Sequence, residues 1–427
     1  MVTRCLAVLV LGVPNAKADV KSLAQLIAQA TATHPAIQAQ QALTGATQEG
    51  VRSARWQYYP TPSITVQGTK ASATDMAYAG DTQVTVLALS QPVWTGGRIE
   101  SGVSKALAYA QSANASLADT RQQLAIRVVQ SYGDWLAANR KKTAYELGQR
   151  QHQRLKEQVE RRIQEGQAAA SDMALAQGRL ASLQADLSLA ATQEQVSLTR
   201  LSQLLGQTIT AESLTPNVAQ ALQLDTGLSE LLAMAQAHAP SLSRSRSMAQ
   251  AQLAAIQEAK SATSPEISLR LEQQHGNYNY TGGPQHNRVF INLSSRLGAG
   301  LSSFSAIQEA VQRHAAALAD IEVEQRNLAE QVMADHALLV TSQARRHALQ
   351  NSAEATDQVL ASWDRQYLSG RKSWQDLMNS AREQVQAQAQ LADLDGALLV
   401  ASWRLALITG QLQVVMEQLH APTAEQK

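Results

Sequence analysis

The side chains able to do chemistry are nine histidines, one cysteine, and 36 basic against 35 acidic residues. The histidines (His34, His152, His238, His275, His286, His314, His336, His347 and His420) are scattered, with no H-E-x-x-H pair to hold zinc on one helix face. No phosphate-cradling G-x-x-x-x-G-K-[ST] loop and no G-x-S-x-G nucleophile elbow occurs. The carboxylates read as helix-surface charges rather than as an acid and base facing one cleft. No enzyme, metal or cofactor is expected. What does recur is a run with a glycine and an aspartate at fixed spacing. Arg161-Arg162-Ile163-Gln164-Glu165-Gly166 is followed by Asp172, and Arg365-Gln366-Tyr367-Leu368-Ser369-Gly370 by Asp376. The chemistry available there is ion pairing and hydrogen bonding.

The elements that position these runs follow from composition and punctuation. A formal net charge of +1 over 427 residues leaves no basic surplus for nucleic-acid phosphates. Aromatics are 4% of residues, poor material for a large compact core, while abundant Ala, Gln, Leu and Ser suit long packed helices. Residues 1–18 carry Arg4, an apolar run from Cys5 to Val13, and Ala16-Lys17-Ala18 as a cleavage site, which reads as a secretory signal; a buried strand or helix start is the alternative. Cleavage would remove Cys5, the only cysteine, so neither disulfides nor thiol chemistry is expected. No later stretch approaches the ~18 to 20 apolar residues of a spanning helix, so membrane residence would require strands.

Prolines are absent from 93–215 and from 285–421, and each stretch can carry uninterrupted helix where a proline would cost about 3 kcal/mol. The two halves also match. Leu23, Pro35, Val51, Pro60 and Ile64 fall 205 positions before Leu228, Pro240, Ile256, Pro265 and Leu269, and at an offset of 204, Gly96, Gly166, Asp172 and Gly206 correspond to Gly300, Gly370, Asp376 and Gly410. Agreement of Pro, Gly and Asp landmarks marks a duplication.

Each repeat reads in one order. A helix over 20–56 (225–262 in the second copy), opening after Asp19, leads to two alternating strands at 63–69 and 83–91 (266–271 and 288–293). A long helix over 99–164 follows, then a break near Gly166 and a return helix to 205. The second copy breaks near Gly370. In its return helix, Leu391, Leu394, Leu398, Ala401, Leu405, Ile408, Leu412, Val415 and Leu419 form a heptad seam, with water expected on the opposite face. The regional division is 1–18 signal, 19–61 first helix, 62–97 strands 1 and 2, 98–206 first hairpin and 207–227 linker. The second half divides into 228–264 helix, 265–300 strands 3 and 4, 301–419 second hairpin and 420–427 tail.

Four short strands cannot close a barrel, and open edges in a bilayer cost several kcal/mol per unsatisfied group, so several chains must pool their strands. Nine of the 17 aromatics fall in or beside the strand regions: Trp56, Tyr58, Tyr59, Tyr78, Trp94, Tyr278, Tyr280, Phe290 and Phe304. Seven of them, Tyr58, Tyr59, Tyr78, Trp94, Tyr278, Tyr280 and Phe290, are the expected aromatic girdle; strand propensity alone is the alternative.

With these features the sequence resembles the TolC family of outer-membrane channel proteins over nearly the whole chain. The duplicated order carries the resemblance, with Gln91-Pro92-Val93-Trp94-Thr95-Gly96-Gly97-Arg98 where strand meets helix, and the two hairpin ends. It implies a mainly α fold with a small β part. Three chains would form an α-helical tunnel through the periplasm and share a barrel of roughly twelve strands in the lipid of a Gram-negative outer membrane. The homotrimer would work with a periplasmic adaptor (membrane fusion protein) and an inner-membrane ABC transporter or proton-driven pump, and no nucleic acid.

Matched residue by residue, the resemblance makes Asp172, Tyr367, Lys372 and Asp376 a gate at the tunnel's periplasmic end. Arg162, Gly166, Gln167, Ala168, Gly370 and Arg371 become adaptor-contacting tips. Lys372 stands where arginine is common, which removes a forked contact, and a further acidic position is Asn379, which weakens any cation-binding ring. The W-T-G-G-R form resembles the branch serving type I secretion, so a secreted protein such as a large adhesin is the expected cargo, with tripartite efflux of toxic small molecules as the alternative. A periplasmic coiled-coil scaffold without a pore is the reading from another class. Four alternating strands with aromatics at their ends argue against it.

Overall fold

The computed structural model describes residues 21–72, 74–216, 226–283, 285–295, 298 and 302–410. The signal-like segment, Asp19, Gly300, the tail, and Leu412, Val415 and Leu419 of the heptad seam lie outside them. Elements run α1 (Leu23–Thr33), α2 (Pro35–Trp56), β1 (Thr61–Gly68), β2 (Gln83–Trp94), α3 (Arg98–Gln164) and α4 (Ala170–Leu205). The second copy is α5 (Leu228–His238), α6 (Pro240–Ser261), β3 (Glu266–His275), β4 (His286–Ser294), α7 (Ser302–Leu368) and α8 (Trp374–Ile408). The copies repeat even in length, 11 residues for α1 and α5, 22 for α2 and α6, and 67 for α3 and α7.

The single helix expected at the start of each repeat is two helices. Proline disfavours helical backbone in the residue before it, and both His34 and Ala239 are extended (ψ 133° and 118°) ahead of Pro35 and Pro240. The first helix opens at Ser22, whose hydroxyl accepts from the Gln25 backbone N–H while the Gln25 side chain reaches back to Ser22.

The chain divides into two compact units, Met1–His34 with Gln123–Leu231 and Met333–Lys427, and Pro35–Gln122 with Leu232–Val332. The second holds the sheet, antiparallel in the order β1-β2-β3-β4. Its strands overrun the expected segments because pairing continues to Thr61, Trp94, His275 and Ser294. Register sorts the side chains. Ile64, Leu87, Leu89, Leu269, Leu271, Val289, Ile291 and Leu293 share one face, with Ile64 72% and Ile291 78% exposed. The other face carries Arg270, Glu272, Gln274 and Arg288, joined by Arg270–Glu272 (3.2 Å), Arg288–Glu272 (3.6 Å) and Arg288–Gln274 (2.7 Å) contacts. An exposed aliphatic face backed by a polar, ion-paired one is the division that lipid outside and water inside impose on strands.

The first unit is built on the lower parts of α3 and α7 with α4 and α8. Here the one-sided α8 of the sequence reading is corrected. Leu394, Leu398, Ala401, Leu405 and Ile408 are buried as the seam requires, and so are Leu399, Val400, Trp403, Ala406 and Leu407 on the other faces. A helix covered on nearly every side is a central helix, and over 394–408 only Ala397 and Arg404 keep partial contact with water.

Candidate functional site

The two hairpin ends are built alike. Gly166 and Gly370 adopt left-handed backbone (φ 72° and 76°), where a side chain would be strained. Gly166 N–H donates to Ile163 O and Gln167 N–H to Arg162 O; Gly370 N–H donates to Tyr367 O and Arg371 N–H to Gln366 O. This paired pattern satisfies the last carbonyls of α3 and α7. The return helices then start at Ala169 and Ser373. Asp172 and Asp376 fall in their first turns, where the helix dipole favours a negative charge. The Asp172 carboxylate accepts from Ala169 N–H (3.4 Å), and the Ser373 hydroxyl from Asp376 N–H (3.1 Å). The six-residue spacing from glycine to aspartate is thereby explained as turn plus first helical turn.

Three aromatics and two cations organise the space between the ends. Trp374 Nε1 donates to the Asp172 carbonyl (3.0 Å), a bond from the second hairpin to the first. Its ring lies 5.3 Å from that of Tyr367, which is buried, and the Arg162 guanidinium stands 4.5 Å over the Tyr367 ring. Lys372 Nζ lies 4.1 Å over Trp363. Leu155, Val159, Ala176, Leu360, Leu377, Met378 and Ala381 complete the core beneath them, with Ala168 packed against it.

Of the gate set, Asp172 and Tyr367 thus meet through Trp374, and Asp376 follows that tryptophan in the first turn of α8. Within the chain, however, Lys372 is committed to Trp363, and among the described residues no cation lies within 4.0 Å of either aspartate. At these ends the two hairpins of one chain are tied by Trp374 and Arg162. Trp374 was missed by the sequence reading; the signal was there, since two of only six tryptophans stand within seven residues of Gly370. Gly166, Gln167, Gly370 and Arg371 are exposed at the extreme ends, whereas Arg162 and Ala168 are half-buried. Trp374→Phe keeps an aromatic ring but removes the donor and part of the buried indole. We expect it to cost about 1–3 kcal/mol, measured as a lower thermal midpoint.

The girdle residues divide between the two ends of the sheet. Tyr58, Tyr59 and Trp94 are exposed where β1 begins and β2 ends. Tyr78, Tyr278 and Tyr280 sit in the hairpin loops at the other end, Tyr78 and Tyr278 edge to face at 6.0 Å. Phe290 lies apart from both groups: it pairs with Arg270 in mid-strand, which puts it on the polar face.

His152, on α3 above the hairpin end, is buried with Nδ1 3.0 Å from Gly148 O. Burial, aided by the nearby Arg179 charge, holds its pKa below the usual imidazole range, while the Gly148 bond opposes this. A depressed imidazole makes the unfolded chain the better proton binder. Its stabilising share is therefore complete above the unfolded value of about 6.5 and is lost as pH falls through the lower folded value. We expect His152→Gln to flatten the fall of the thermal midpoint below neutral pH.

Among the described residues no helix is long and apolar enough to cross a membrane, and no group of His, Cys, Asp and Glu could hold a metal ion. No curated protein sequence matches the chain. Among solved structures, a membrane protein from Pseudomonas aeruginosa superposes with a TM-score of 0.81 at 19% identity, over 92% of this chain and 94% of that one. The outer membrane protein VceC from Vibrio cholerae gives 0.78 at 16% identity, over 91% and 96%. The Neisseria gonorrhoeae MtrE outer membrane channel, solved in its open state, gives 0.76 at 18% identity, over 90% and 88%. These likenesses establish the fold. The profile described as outer membrane efflux protein matches residues 26–207 and again 231–411, one match for each structural repeat. With both halves matched over most of the sequence, the chain belongs to the outer membrane efflux protein family.

Proposed function

We propose that three copies of this chain close their four-stranded sheets into one barrel in the outer membrane and join their helices into a periplasmic tunnel, the exit duct of an export machine. The observation that carries this is the sheet: its aliphatic face is exposed and its ion-paired face polar, and β1 and β4 each keep one edge without a partner strand among the described residues. Edges left open in lipid are untenable, and pairing β4 of one copy with β1 of the next satisfies both. Cross-linking of the purified protein, with conductance in a planar bilayer, tests it. A monomer without conductance would return the scaffold reading.

In this reading Asp172, Tyr367, Lys372 and Asp376 form the gate, with the carboxylates pairing between copies. A wet Asp–Lys pair is worth ~0 to 1 kcal/mol, and three by symmetry give only a few, which a docking partner can supply. Unchanged conductance and open probability in Asp172→Ala would remove Asp172 from the gate.

Gly166, Gln167, Gly370 and Arg371, with Arg162 and Ala168 behind them, meet the periplasmic adaptor, which links the duct to an inner-membrane pump. The family's description, outer membrane efflux protein, favours efflux over secretion. Type I secretion is kept as a second reading because of the Trp94-Gly97-Arg98 junction, where Arg98 bonds Gln57 (3.2 Å) and Glu266 (3.0 Å). A single cysteine at Gln167, in a Cys5→Ser background, cross-linked in cells and identified by mass spectrometry, separates the two. An adaptor of a proton-driven pump supports efflux, and one encoded with an ABC exporter supports secretion.

A further inference from the structure

Some way behind the hairpin ends, within the first unit, α3, α4 and α8 line a half-open cavity of about 460 Å³. That volume falls within the usual range for small-molecule sites. Its lining is charged from all three helices, and the charges do not cancel. Lys141 of α3 and Asp393 of α8 pair with each other at 2.6 Å. Arg179 of α4 and Arg382 of α8 also line the cavity, yet among the described residues neither has a carboxylate within 4.0 Å. Asp186 is the one remaining carboxylate of the lining, and it makes no ion pair among the described residues, so three cations face two carboxylates.

Arg179 is the more telling of the two guanidinium groups. Its Nε is shielded from solvent and has no hydrogen-bond acceptor. A buried donor left unpaired costs free energy, and charged ones most of all, so an acceptor at this point would stabilise the unit. Tyr145 adds a further donor, and His152 also lines the wall. Burial, with the Asp186 and Asp393 charges adding to it, holds the Tyr145 phenol above its usual range, so the hydroxyl stays protonated. Ser182, Gln386 and Gln390 supply further hydrogen-bonding groups.

We propose that this cavity is a binding site for a small oxyanion, a phosphate or an organic carboxylate, held between Arg179 and Arg382 with Tyr145 donating beside them. Planar guanidinium groups suit such oxygens because each can offer two parallel N–H donors. The site has a structural consequence. Arg179 belongs to the first hairpin and Arg382 to the second, 13 and 12 residues beyond their end glycines. At about 1.5 Å per residue both stand roughly 20 Å from the ends. An anion gripped by both would tie one hairpin to the other. That consequence for opening rests on the proposed function, whereas the binding itself does not.

The test is isothermal titration of the full-length, detergent-solubilised protein with inorganic phosphate and, separately, with succinate. Saturable binding of either is expected, and the one that binds more tightly identifies the class of head group. Arg179→Gln and Arg382→Gln should each weaken it by about tenfold and the double variant should abolish it. Arg326→Gln, on an exposed arginine of the second unit paired with Glu322, should leave it unchanged. Arg179→Lys and Arg382→Lys, which keep the charge but lose the fork, should bind with intermediate affinity, and circular dichroism checks that all variants fold. Absence of binding by both anions, or binding that survives the double variant, overturns the site even where trimer and conductance are intact.

Discussion

Gly396→Ala is expected to destabilise the first unit by several kcal/mol, although alanine is the better helix former by about 1 kcal/mol in an open helix. The sign is reversed by a close crossing of α3 and α8. A Cβ at Gly396 would lie 2.8 Å from Gly133 O and 2.9 Å from Ala137 Cβ. The first of those is backbone, which cannot move aside as a side chain can. A Cβ at Gly133 would instead meet Val400 Cγ2 at 2.2 Å, and one at Gly148 would meet Val385 Cγ2 at 2.5 Å. Overpacking costs typically 1–3 kcal/mol and more where the backbone must shift. The two sites are therefore expected to differ in rescue. Gly133→Ala should recover most of its loss when combined with Val400→Ala, because the obstacle is a removable methyl group. Gly396→Ala should not recover with any single side-chain truncation. Thermal midpoints of the purified single and double variants measure this, and full rescue of Gly396→Ala by Ala137→Gly would show that the backbone contact is not the obstacle.

These crossings mark the boundary of what the sequence reveals. Proline and glycine act locally, so the duplication, the hairpin ends and the strand-to-helix junction could be read directly. The break at His34 and Ala239 was equally local, a steric effect of the following proline, but a continuous apolar pattern on both sides masked it. The central position of α8 could not be read in the same way. Its heptad seam is real, yet which further faces are covered depends on the helices that surround it. The same holds at the hairpin ends. Asp172 was singled out for its carboxylate, while the bond that crosses between hairpins uses its carbonyl, which carries no side-chain signature. Parity along a strand, by contrast, is fixed at two residues, so that Phe290 faces opposite to Val289 and Ile291 could be read from the sequence alone, whereas its place in mid-strand, away from a girdle, needed the register.

Arg140→Ala combined with Arg346→Ala is the second change expected to have a large effect, about 3–5 kcal/mol. Asp395, on α8, is fully buried, its side chain 0% exposed. Arg140 of α3 binds Oδ2, and Arg346 of α7 binds Oδ1 through Nε at 2.8 Å, so one carboxylate holds three helices. The arrangement is asymmetric in its access to water. The arginines keep 34% and 37% of their side chains exposed, so each can be hydrated when the aspartate is removed. Asp395 has no such recourse, and without its arginines it becomes an uncompensated charge in the core. Asp395→Asn alone should accordingly cost less than the double arginine variant. Adding Asp395→Asn to that double variant should recover part of the loss, because the buried charge disappears with it. A double-mutant cycle on thermal unfolding isolates this coupling. If Asp395→Asn worsens the double arginine variant, the cost comes from lost arginine packing rather than from the stranded carboxylate.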